Sequence, residues 1–234
     1  MIIFGAGSLS KIIFLLFREN FKNRKKRIII DSFSKLDFES KQFWLKNNFK
    51  IFNRIDSIKV KQQNQNFVVG IGNDFGFERY QIINKLKKQN YSIKSFHHES
   101  CFIDKSSYVS DSAILMPRVT IMPLSRISSG CIINTSATID HEVIIGKGSH
   151  IMGSTYIAGR VNIGKWSTIG ANSTIFPDIN IGKNCFIGAG SIVRKNVPDN
   201  SVVIGQPAKF LRKNRELPEI IDILKRNNLD PIYK

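Results

Sequence analysis

The chain has 234 residues, a hydrophobic fraction of 42% and a formal net charge of +17, enough for one large or two smaller domains with a real core. No apolar run approaches the roughly 20 residues that span a bilayer, and the apolar start at 1–5 is too short for a signal peptide, so we expect a cytoplasmic protein without stable membrane insertion. The positive net charge favours anionic partners or simply reflects a solvated surface. Because no nucleic-acid-binding motif accompanies the basic run at 22–27, we do not expect a nucleic-acid partner.

The first hundred residues alternate short apolar runs with segments of helical periodicity. The predicted strands are 2–4, 27–31 and 67–73, and the predicted helices follow at 12–17 and 78–88. Alternation of this kind indicates a small parallel sheet with helices between its strands. The glycine turn at 5–8 would leave the N–H groups of the first helix free to face an anion.

A six-residue repeat begins at Val109 and continues without a break to Val193. Each of its fifteen lead positions carries a β-branched residue or leucine, and a small or β-branched residue follows every lead four positions later. Glycine often follows the lead directly, as at Gly146 and Gly164. Neither the 3.6-residue period of a helix nor the two-residue period of a strand fits this pattern.

Lead residues six positions apart can stack on one another only if the chain turns a corner every six residues. Three such sides close a triangular coil of eighteen residues, so fifteen repeats predict five coils joined by parallel strand pairing about 4.8 Å apart. We expect the small residue in fourth place to permit the corner, and the glycines to relieve backbone crowding. The repeat predicts a parallel β-helix domain over 101–212.

The chain beyond the repeat is predicted to leave the prism and cap it. Residues 203–209 read as an exit segment, and 217–225 read as a short amphipathic helix within a C-terminal extension at 213–234. Because the open end of a stacked array needs a cover, we expect this helix to cap the prism, or else to contribute to an oligomer contact.

The residues with catalytic potential lie within the repeat. His141 occupies the third place of a hexad beside a corner, where its ring should be exposed, and the adjacent Glu142 could orient it and raise its basicity. Gly159 follows one coil later, so it should lie above His141 and present a bare backbone N–H. His150 lies half a coil from His141. A surface role is as compatible with its position as contact with a ligand.

This arrangement suits acyl transfer. A base removes a proton from an amine or hydroxyl, the acceptor attacks a thioester carbonyl, and a backbone N–H stabilises the oxyanion. The alternative for His141 is a surface histidine that happens to fall in the repeat. The three cysteines, Cys101, Cys131 and Cys185, form no CxxC pair, and the histidines have no metal-ligand spacing, so no metal is expected.

The chain resembles the bacterial sugar O- and N-acetyltransferases that join a Rossmann-like domain to a left-handed parallel β-helix of hexapeptide repeats. This family includes sialic acid O-acetyltransferases, UDP-4-amino-sugar N-acetyltransferases and perosamine N-acetyltransferases. The resemblance covers residues 1 to about 212. The segments that carry it are 3–7, 71–73, 134–136, 140–142, 148–150 and 205–209.

The resemblance implies a fold, a reaction and a site. The fold would be a Rossmann-like sugar-nucleotide-binding domain at 1–100, followed by the left-handed β-helix. His141 would be the general base and Glu142 its polarising partner, in a homotrimer with active sites between subunits. Acetyl-CoA would be the co-substrate. Its implied contacts are His150, Gly159, Ala171 and Ala189. The implied contacts of a nucleotide-linked sugar are Gly7, Ser8, Asp31, Ser32 and Gly72.

The departures from the family pattern fall in the sugar-nucleotide pocket. Ser8-Leu9-Ser10 stands where relatives often carry Gly-His-Gly, and the second strand ends in a single acid, Asp31, rather than two. The expected function is acetylation of the amino group of a nucleotide-linked amino sugar for surface glycan biosynthesis. O-acetylation of a sialic or nonulosonic acid is an alternative, as is a non-catalytic sugar-nucleotide-binding protein, which the intact His141 and Glu142 argue against.

Overall fold

The structure, a computed structural model, describes residues 2–18, 27–30, 36–52, 66–72 and 75–217. The chain divides into two compact units. Within the described residues, the first unit contains a small α/β sheet and the second contains Gly72–Tyr80 together with Ser95–Leu217. Among the helices of these described residues, none combines the length and the apolar character needed to cross a membrane.

The first unit is built on a five-stranded parallel sheet in the order β3-β2-β1-β4-β5. The strands are β1 (Ile2–Phe4), β2 (Arg27–Ile30), β3 (Phe49–Phe52), β4 (Asn66–Val69) and β5 (Ser92–Ile93). The helices are α1 (Ser8–Leu16), α2 (Phe38–Lys46) and α3 (Gly76–Lys88), the last of which begins in the second unit. The predicted α/β sheet is confirmed. Its central strands are buried on both faces, as apolar runs such as Ile28–Ile30 require.

Helix α2 and strand β3 were not predicted from the sequence. Helix α2 begins at an Asp37 cap, whose carboxylate accepts the Ser40 N–H at 2.7 Å. Only Ser40 and Trp44 are buried on this helix, so it lacks the apolar stripe that marks a helix in sequence. Trp44 is fully buried, packs at a tilt against Phe14 and edge-on against Phe49, and donates its indole N–H to the Ala6 carbonyl at 3.1 Å.

The second unit is a three-sided prism of two-residue strands, which confirms the parallel β-helix. The strands from β6 to β22 are 96–97, 102–103, 108–109, 114–115, 120–121, 126–127, 132–133, 138–139, 144–145, 150–151, 156–157, 162–163, 168–169, 174–175, 180–181, 186–187 and 192–193. Strands eighteen residues apart pair in parallel, as Ile121 pairs with Ile139 and Ile139 with Ile157. Strands β6 and β7 also pair into the prism, so the winding begins twelve residues before the recognisable repeat at Val109.

Each side of the prism is one sheet. Face 1 is the eight-stranded sheet that contains β6, β15, β18 and β21, face 2 is the six-stranded sheet from β7 to β22, and face 3 is the five-stranded sheet from β8 to β20. Edge 1–2, edge 2–3 and edge 3–1 denote the columns of turns that join these faces. The lead aliphatic residues fill the interior, and those from Leu115 to Ile175 are fully buried. Each contributes about 1.5–3 kcal/mol by leaving water.

The small residues in fourth place also point inward, where their hydroxyls join consecutive coils. Ser149 donates to the Gly164 carbonyl at 2.9 Å and accepts the Ser167 N–H at 3.2 Å. Ser167 repeats this pattern with Gly182 and Cys185. The buried hydroxyls are thus satisfied on both sides, as a low-dielectric interior requires.

The left-handed backbone of each corner lies one residue before the small, buried residue in fourth place. The third residue after the lead adopts a left-handed conformation in thirteen successive turns, from Arg118 to Gly190. Only three of these positions carry glycine, although most L residues disfavour the conformation by about 1–2 kcal/mol. The cost is offset locally, because the N–H of such a residue donates to the preceding coil, as Glu142 does to the Pro123 carbonyl. The glycines after the lead do relieve crowding, since a Cβ at Gly146 would overlap the backbone of Gly164 and Lys165.

The start of α3, at 76–79, packs against edge 3–1 of the prism. The buried Arg79 guanidinium donates to the carbonyls of Gly130 at 2.7 Å and Gly148 at 2.6 Å. The ring of Phe77 meets Trp166 edge-on at 4.9 Å between centroids. The backbone of Gly76 touches that of Gly148 so closely that a Cβ on either would overlap the other. The chain itself therefore covers this edge at Gly130, Gly148 and Trp166.

The end of the repeat is a hairpin rather than a simple exit segment. Strand β23 (Ser201–Gly205) adds to face 1 in parallel, and β24 (Ala208–Lys213) returns antiparallel to it through the cis Gln206–Pro207 bond. Ile204 from this hairpin covers Gly188. The predicted capping helix at 217–225 lies outside the described residues beyond its first residue.

Candidate functional site

The turn that carries His141 is held by the coil below it. His141 and Glu142 form the turn between β13 on face 2 and β14 on face 3. Ser125 lies inside the preceding coil, where its hydroxyl donates to the Asp140 carbonyl at 2.6 Å and accepts the Val143 N–H at 3.1 Å. One buried serine therefore fixes both ends of the turn.

His141 and Glu142 form a hydrogen-bonded pair that is open to solvent. The His141 Nδ1 lies 2.9 Å from the Glu142 Oε2, with 44% and 49% of the two side chains exposed. A carboxylate can only accept a hydrogen bond, so the Nδ1 carries the proton and the Nε2 keeps its lone pair. An imidazole in this tautomer can accept a proton at Nε2.

Gly159 lies directly over the His141 ring, as eighteen-residue stacking predicted. A Cβ at Gly159 would overlap Nε2 and lie 2.6 Å from Cε1 of the ring. The Arg160 N–H donates to the His141 carbonyl at 3.0 Å, which ties the two turns together. The bare backbone of Gly159 therefore faces the ring edge at which a proton would be accepted.

A groove of about 310 Å³ opens beside this pair on edge 2–3 and face 2. Its lining includes Ala158 and Gly159, together with Tyr156 from the same coil and Phe176 from the next coil. The sequence analysis did not single out these two aromatic residues. They could have been found by following outward positions of face 2 in steps of eighteen, since Tyr156 follows Thr138 by one step and Phe176 follows Asp140 by two.

Asp140 joins the groove wall to the turn that carries His141 and Glu142. One carboxylate oxygen accepts the His141 backbone N–H at 2.7 Å, and the other accepts the Tyr156 hydroxyl at 2.7 Å. The hydrogen bond from Tyr156 lowers the pKa of Asp140, and the same contact raises the pKa of Tyr156. Asp140 therefore stays an ionised acceptor and Tyr156 a neutral donor around neutral pH.

Charged side chains of alternating sign rise from Glu142 along edge 2–3. Arg160 stands one coil above Glu142, and Asp178 one coil above Arg160. The guanidinium binds the Asp178 carboxylate through two hydrogen bonds of 2.6 and 2.8 Å, which lowers the pKa of Asp178 and raises that of Arg160. Both side chains are more than half exposed, so solvent screens much of their field.

The residues implied to contact acetyl-CoA do not gather on one edge of the chain. Only Gly159 joins His141 on edge 2–3. Ala171 and Ala189 lie in turns on edge 1–2, after β18 and β21. His150 lies on face 1 with 4% of its surface exposed, so the interpretation of it as a surface residue is wrong, and its role toward acetyl-CoA stays a prediction.

The predicted sugar-nucleotide residues are described in part. Gly7 is the N-cap of α1, Ser8 begins that helix, and both are exposed. No side chain caps the helix, and a Cβ at Gly7 would meet open space, so this end of α1 is accessible to an anion. Gly72 belongs to the second unit. Asp31 and Ser32 lie outside the described residues.

A larger groove of about 560 Å³ lies on face 3, where Lys165 and Lys183 stand beside Asn162, Asn180 and Asp199. No histidine lines it, so we place the chemistry in the smaller groove. Within the described part of the chain, no three His, Cys, Asp or Glu side chains are grouped to hold a metal. The thiol of Cys131 is sealed inside the prism, and burial raises its pKa to about 12, so it is not a nucleophile.

Two family models match the prism. The bacterial transferase hexapeptide (six repeats) matches residues 142–177, and the hexapeptide repeat of succinyl-transferase matches 160–195 and 178–206. The chain therefore carries transferase hexapeptide repeats, as expected from the sequence.

Solved structures of similar fold include acetyltransferases. PerB from Caulobacter crescentus, solved with CoA and GDP-perosamine, is 22% identical with a TM-score of 0.71, over 90% of this chain and 96% of that one. The acetyltransferase domain of PglB from Neisseria gonorrhoeae is 21% identical with a TM-score of 0.77, over 90% and 98%. WeeI from Acinetobacter baumannii is 19% identical with a TM-score of 0.67, over 90% and 98%.

These matches confirm the fold and the resemblance on which it was expected. The likeness extends over nine-tenths of the chain, and the predicted left-handed β-helix with an N-terminal α/β domain is the fold they share. The expected acyltransferase class agrees with the transferase repeats and with a neighbour solved with acetyl coenzyme A.

Proposed function

We propose that this chain transfers an acetyl group from acetyl-CoA to the amino group of a nucleotide-linked amino sugar. The observation that carries the proposal is the arrangement of His141. Its Nδ1 is bound to Glu142, its Nε2 edge faces the bare backbone of Gly159, and a groove opens beside it. A solvent-exposed imidazole held in this tautomer and beside a cleft is what general-base catalysis requires.

In the reaction, the His141 Nε2 accepts a proton from the attacking amine while the amine nitrogen bonds to the thioester carbonyl carbon. The negative charge that develops on the carbonyl oxygen is stabilised by a backbone N–H near Gly159, a contribution of about 3 kcal/mol in comparable sites. The C–S bond then breaks, and the imidazolium returns its proton to the departing CoA thiolate. Glu142 keeps the ring oriented and stabilises its transient positive charge.

Acetyl-CoA would lie between copies of the chain in a homotrimer. Gly159 shares edge 2–3 with His141, whereas Ala171 and Ala189 line edge 1–2. One groove can include both edges if neighbouring prisms contribute one edge each. His150 would then act from face 1. The CoA and acetyl coenzyme A complexes of PerB and the PglB domain support the choice of co-substrate.

The nucleotide-linked sugar would be held by the N-terminal α/β unit. Gly7 and Ser8 present the uncapped start of α1 to a phosphate group, and Gly72, Asp31 and Ser32 complete the proposed contact set. The GDP-perosamine bound to PerB supports an amino sugar on a nucleoside diphosphate. A role in glycan biosynthesis and a cytoplasmic location follow from such a substrate.

The test is thiol release from acetyl-CoA with a panel of UDP-, GDP- and dTDP-linked amino sugars, and with free and CMP-linked sialic acid as hydroxyl acceptors. We expect turnover with an amino sugar and an N-acetylated product by mass spectrometry. Turnover only with sialic acid would replace the proposal by O-acetylation. No turnover with any acceptor, and no binding of acetyl-CoA, would leave a sugar-nucleotide-binding protein.

The His141→Ala variant tests the base. We expect its turnover to fall by at least about 100-fold, the range of a lost general base, while its oligomeric state by light scattering matches the wild type. Turnover near the wild-type value in a folded His141→Ala protein would remove His141 from the mechanism.

A further inference from the structure

Tyr156 reaches the catalytic turn from the next coil. It lies on face 2, where β16 pairs with β13 and Tyr156 stands beside Thr138. Its ring is 41% exposed and lines the groove, yet its hydroxyl is turned to Asp140 Oδ2 at 2.7 Å. The hydroxyl therefore holds Asp140, the residue before His141, while the ring forms a wall of the groove.

Asp140, held by the Tyr156 hydroxyl, in turn fixes the backbone of His141. Its Oδ1 accepts the His141 backbone N–H, while its own carbonyl accepts the Ser125 hydroxyl. With both carboxylate oxygens and the carbonyl engaged, the side chain has one orientation, and the peptide that enters the His141 turn is fixed. Because Glu142 follows in a left-handed conformation that hydrogen bonds must stabilise, the geometry of the His141–Glu142 pair depends on that peptide.

We propose that Tyr156 is a positioning residue, which acts through Asp140 to hold the His141–Glu142 pair in its catalytic geometry. The inference rests on the proposed function but names a residue outside it. Tyr156 contributes a hydroxyl to Asp140, not to substrate, so its removal should change the rate of chemistry rather than the binding of either substrate. A misplaced base loses rate steeply, since a displacement of about 1 Å can cost about 100-fold.

The first experiment compares Tyr156→Phe with wild type. The substitution keeps the ring and removes one oxygen. We expect kcat to fall by about tenfold, with KM for acetyl-CoA and for the acceptor unchanged. Tyr108→Phe is the matched control, because Tyr108 occupies the corresponding strand position on face 3 with 53% exposure and its ring contacts Arg126 rather than the catalytic turn. We expect no change in that variant.

The second experiment asks whether Tyr156 acts through Asp140. In an Asp140→Ala background, Tyr156→Phe should lower kcat no further, because the acceptor is already gone. Additive losses in the double variant would overturn the proposal. A raised KM with unchanged kcat in Tyr156→Phe would also overturn it, by making the hydroxyl a ligand contact. An unchanged kcat with a lowered Tm would reduce it to a structural role.

The third experiment does not need turnover. The chain has four histidines, so selective ring ¹⁵N labelling gives few signals, and His141→Ala assigns the one of interest. We expect His141 to show the Nδ1–H tautomer in wild type and in Tyr108→Phe, and a tautomeric mixture in Tyr156→Phe. An identical His141 spectrum in Tyr156→Phe refutes positioning. If wild type acetylates nothing yet this tautomer shift is seen, the proposed function fails while the positioning role stands.

Discussion

Edge 2–3 of the prism carries His141 in an open turn, whereas the start of α3 covers edge 3–1 at Gly130, Gly148 and Trp166. Both edges are columns of the same two-residue turn, with the same left-handed backbone. On edge 2–3 the turns carry long side chains, and a groove opens beside them. On edge 3–1 the glycines Gly130 and Gly148 offer carbonyls to Arg79. The comparison teaches that the turn residues, and not the repeat, decide whether an edge becomes a cleft or a packing surface.

The largest effect should come from adding a methyl group on the open edge. Gly159→Ala would drive a Cβ into the His141 ring, and the ring, as an exposed side chain, can move aside. We expect kcat/KM to fall by about 100-fold, as for a displaced base, while Tm stays close to the wild-type value. Steady-state kinetics and thermal unfolding measure the two. Wild-type kcat/KM in Gly159→Ala would show that catalysis does not require the His141 ring to lie beneath Gly159.

A glycine-to-alanine substitution in the segment that covers edge 3–1 should lower stability and leave activity unchanged. In Gly76→Ala the new Cβ would overlap the Gly148 carbonyl, which is backbone and cannot move aside cheaply. We expect unfolding free energy to fall by about 2 kcal/mol, within the range for overpacked sites, with kcat per folded molecule unchanged. Gly153→Ala is the control, because its Cβ would meet only the Thr135 carbonyl at 3.2 Å. Equal stability of Gly76→Ala and Gly153→Ala in urea would contradict the close packing of Gly76 against Gly148.

The sequence predicted the prism well because its signal is repeated in every coil. Every lead aliphatic residue after Val109 is also a buried residue, so fourteen positions agree on one geometry. Strand β6 lies before the predicted domain because its lead position carries His97 rather than an aliphatic residue, which breaks the sequence pattern. Helix α2 was missed because it buries few residues, and its stabilising contact, Trp44 with Ala6, joins positions far apart in sequence.

In the candidate site, a contact between residues stacked eighteen positions apart could be predicted from the sequence. A contact between residues of two different stacked columns could not. Gly159 above His141 follows from eighteen-residue stacking, and the structure places it there. Tyr156 belongs to a strand column and Asp140 to the column after the lead, so their hydrogen bond depends on side-chain length and direction. The same limit applies to Arg79, whose carbonyl partners carry no sequence signal at all.

A smaller effect should come from the Glu78 carboxylate, on the segment that covers edge 3–1. Glu78 is 4% exposed, and burial raises its pKa, although its own backbone N–H and Arg79 oppose the shift. The folded state thus holds this proton more tightly than the unfolded chain, so wild-type stability should fall as pH rises from the ordinary glutamate value through the raised one. In Glu78→Gln that loss is absent, and we expect a gain of about 1 kcal/mol at pH 8. Urea unfolding from pH 4 to 8 measures it, and a difference independent of pH would contradict the buried carboxylate.

The smallest effect should come from an ion pair on the open edge. Asp178→Asn removes the charge that Arg160 binds, but both side chains are more than half exposed. Because Arg160 lowers the pKa of Asp178, the pair stabilises the fold only above the ordinary aspartate pKa, and that contribution is lost as pH falls through the lowered value. Solvent and salt screen it even at neutral pH, so we expect unfolding curves at pH 7 that overlay those of the wild type at 150 mM salt and separate slightly at low salt. Asp178 shares edge 2–3 with His141, and a loss of stability as large as that of Gly76→Ala would mean that this edge, too, is covered.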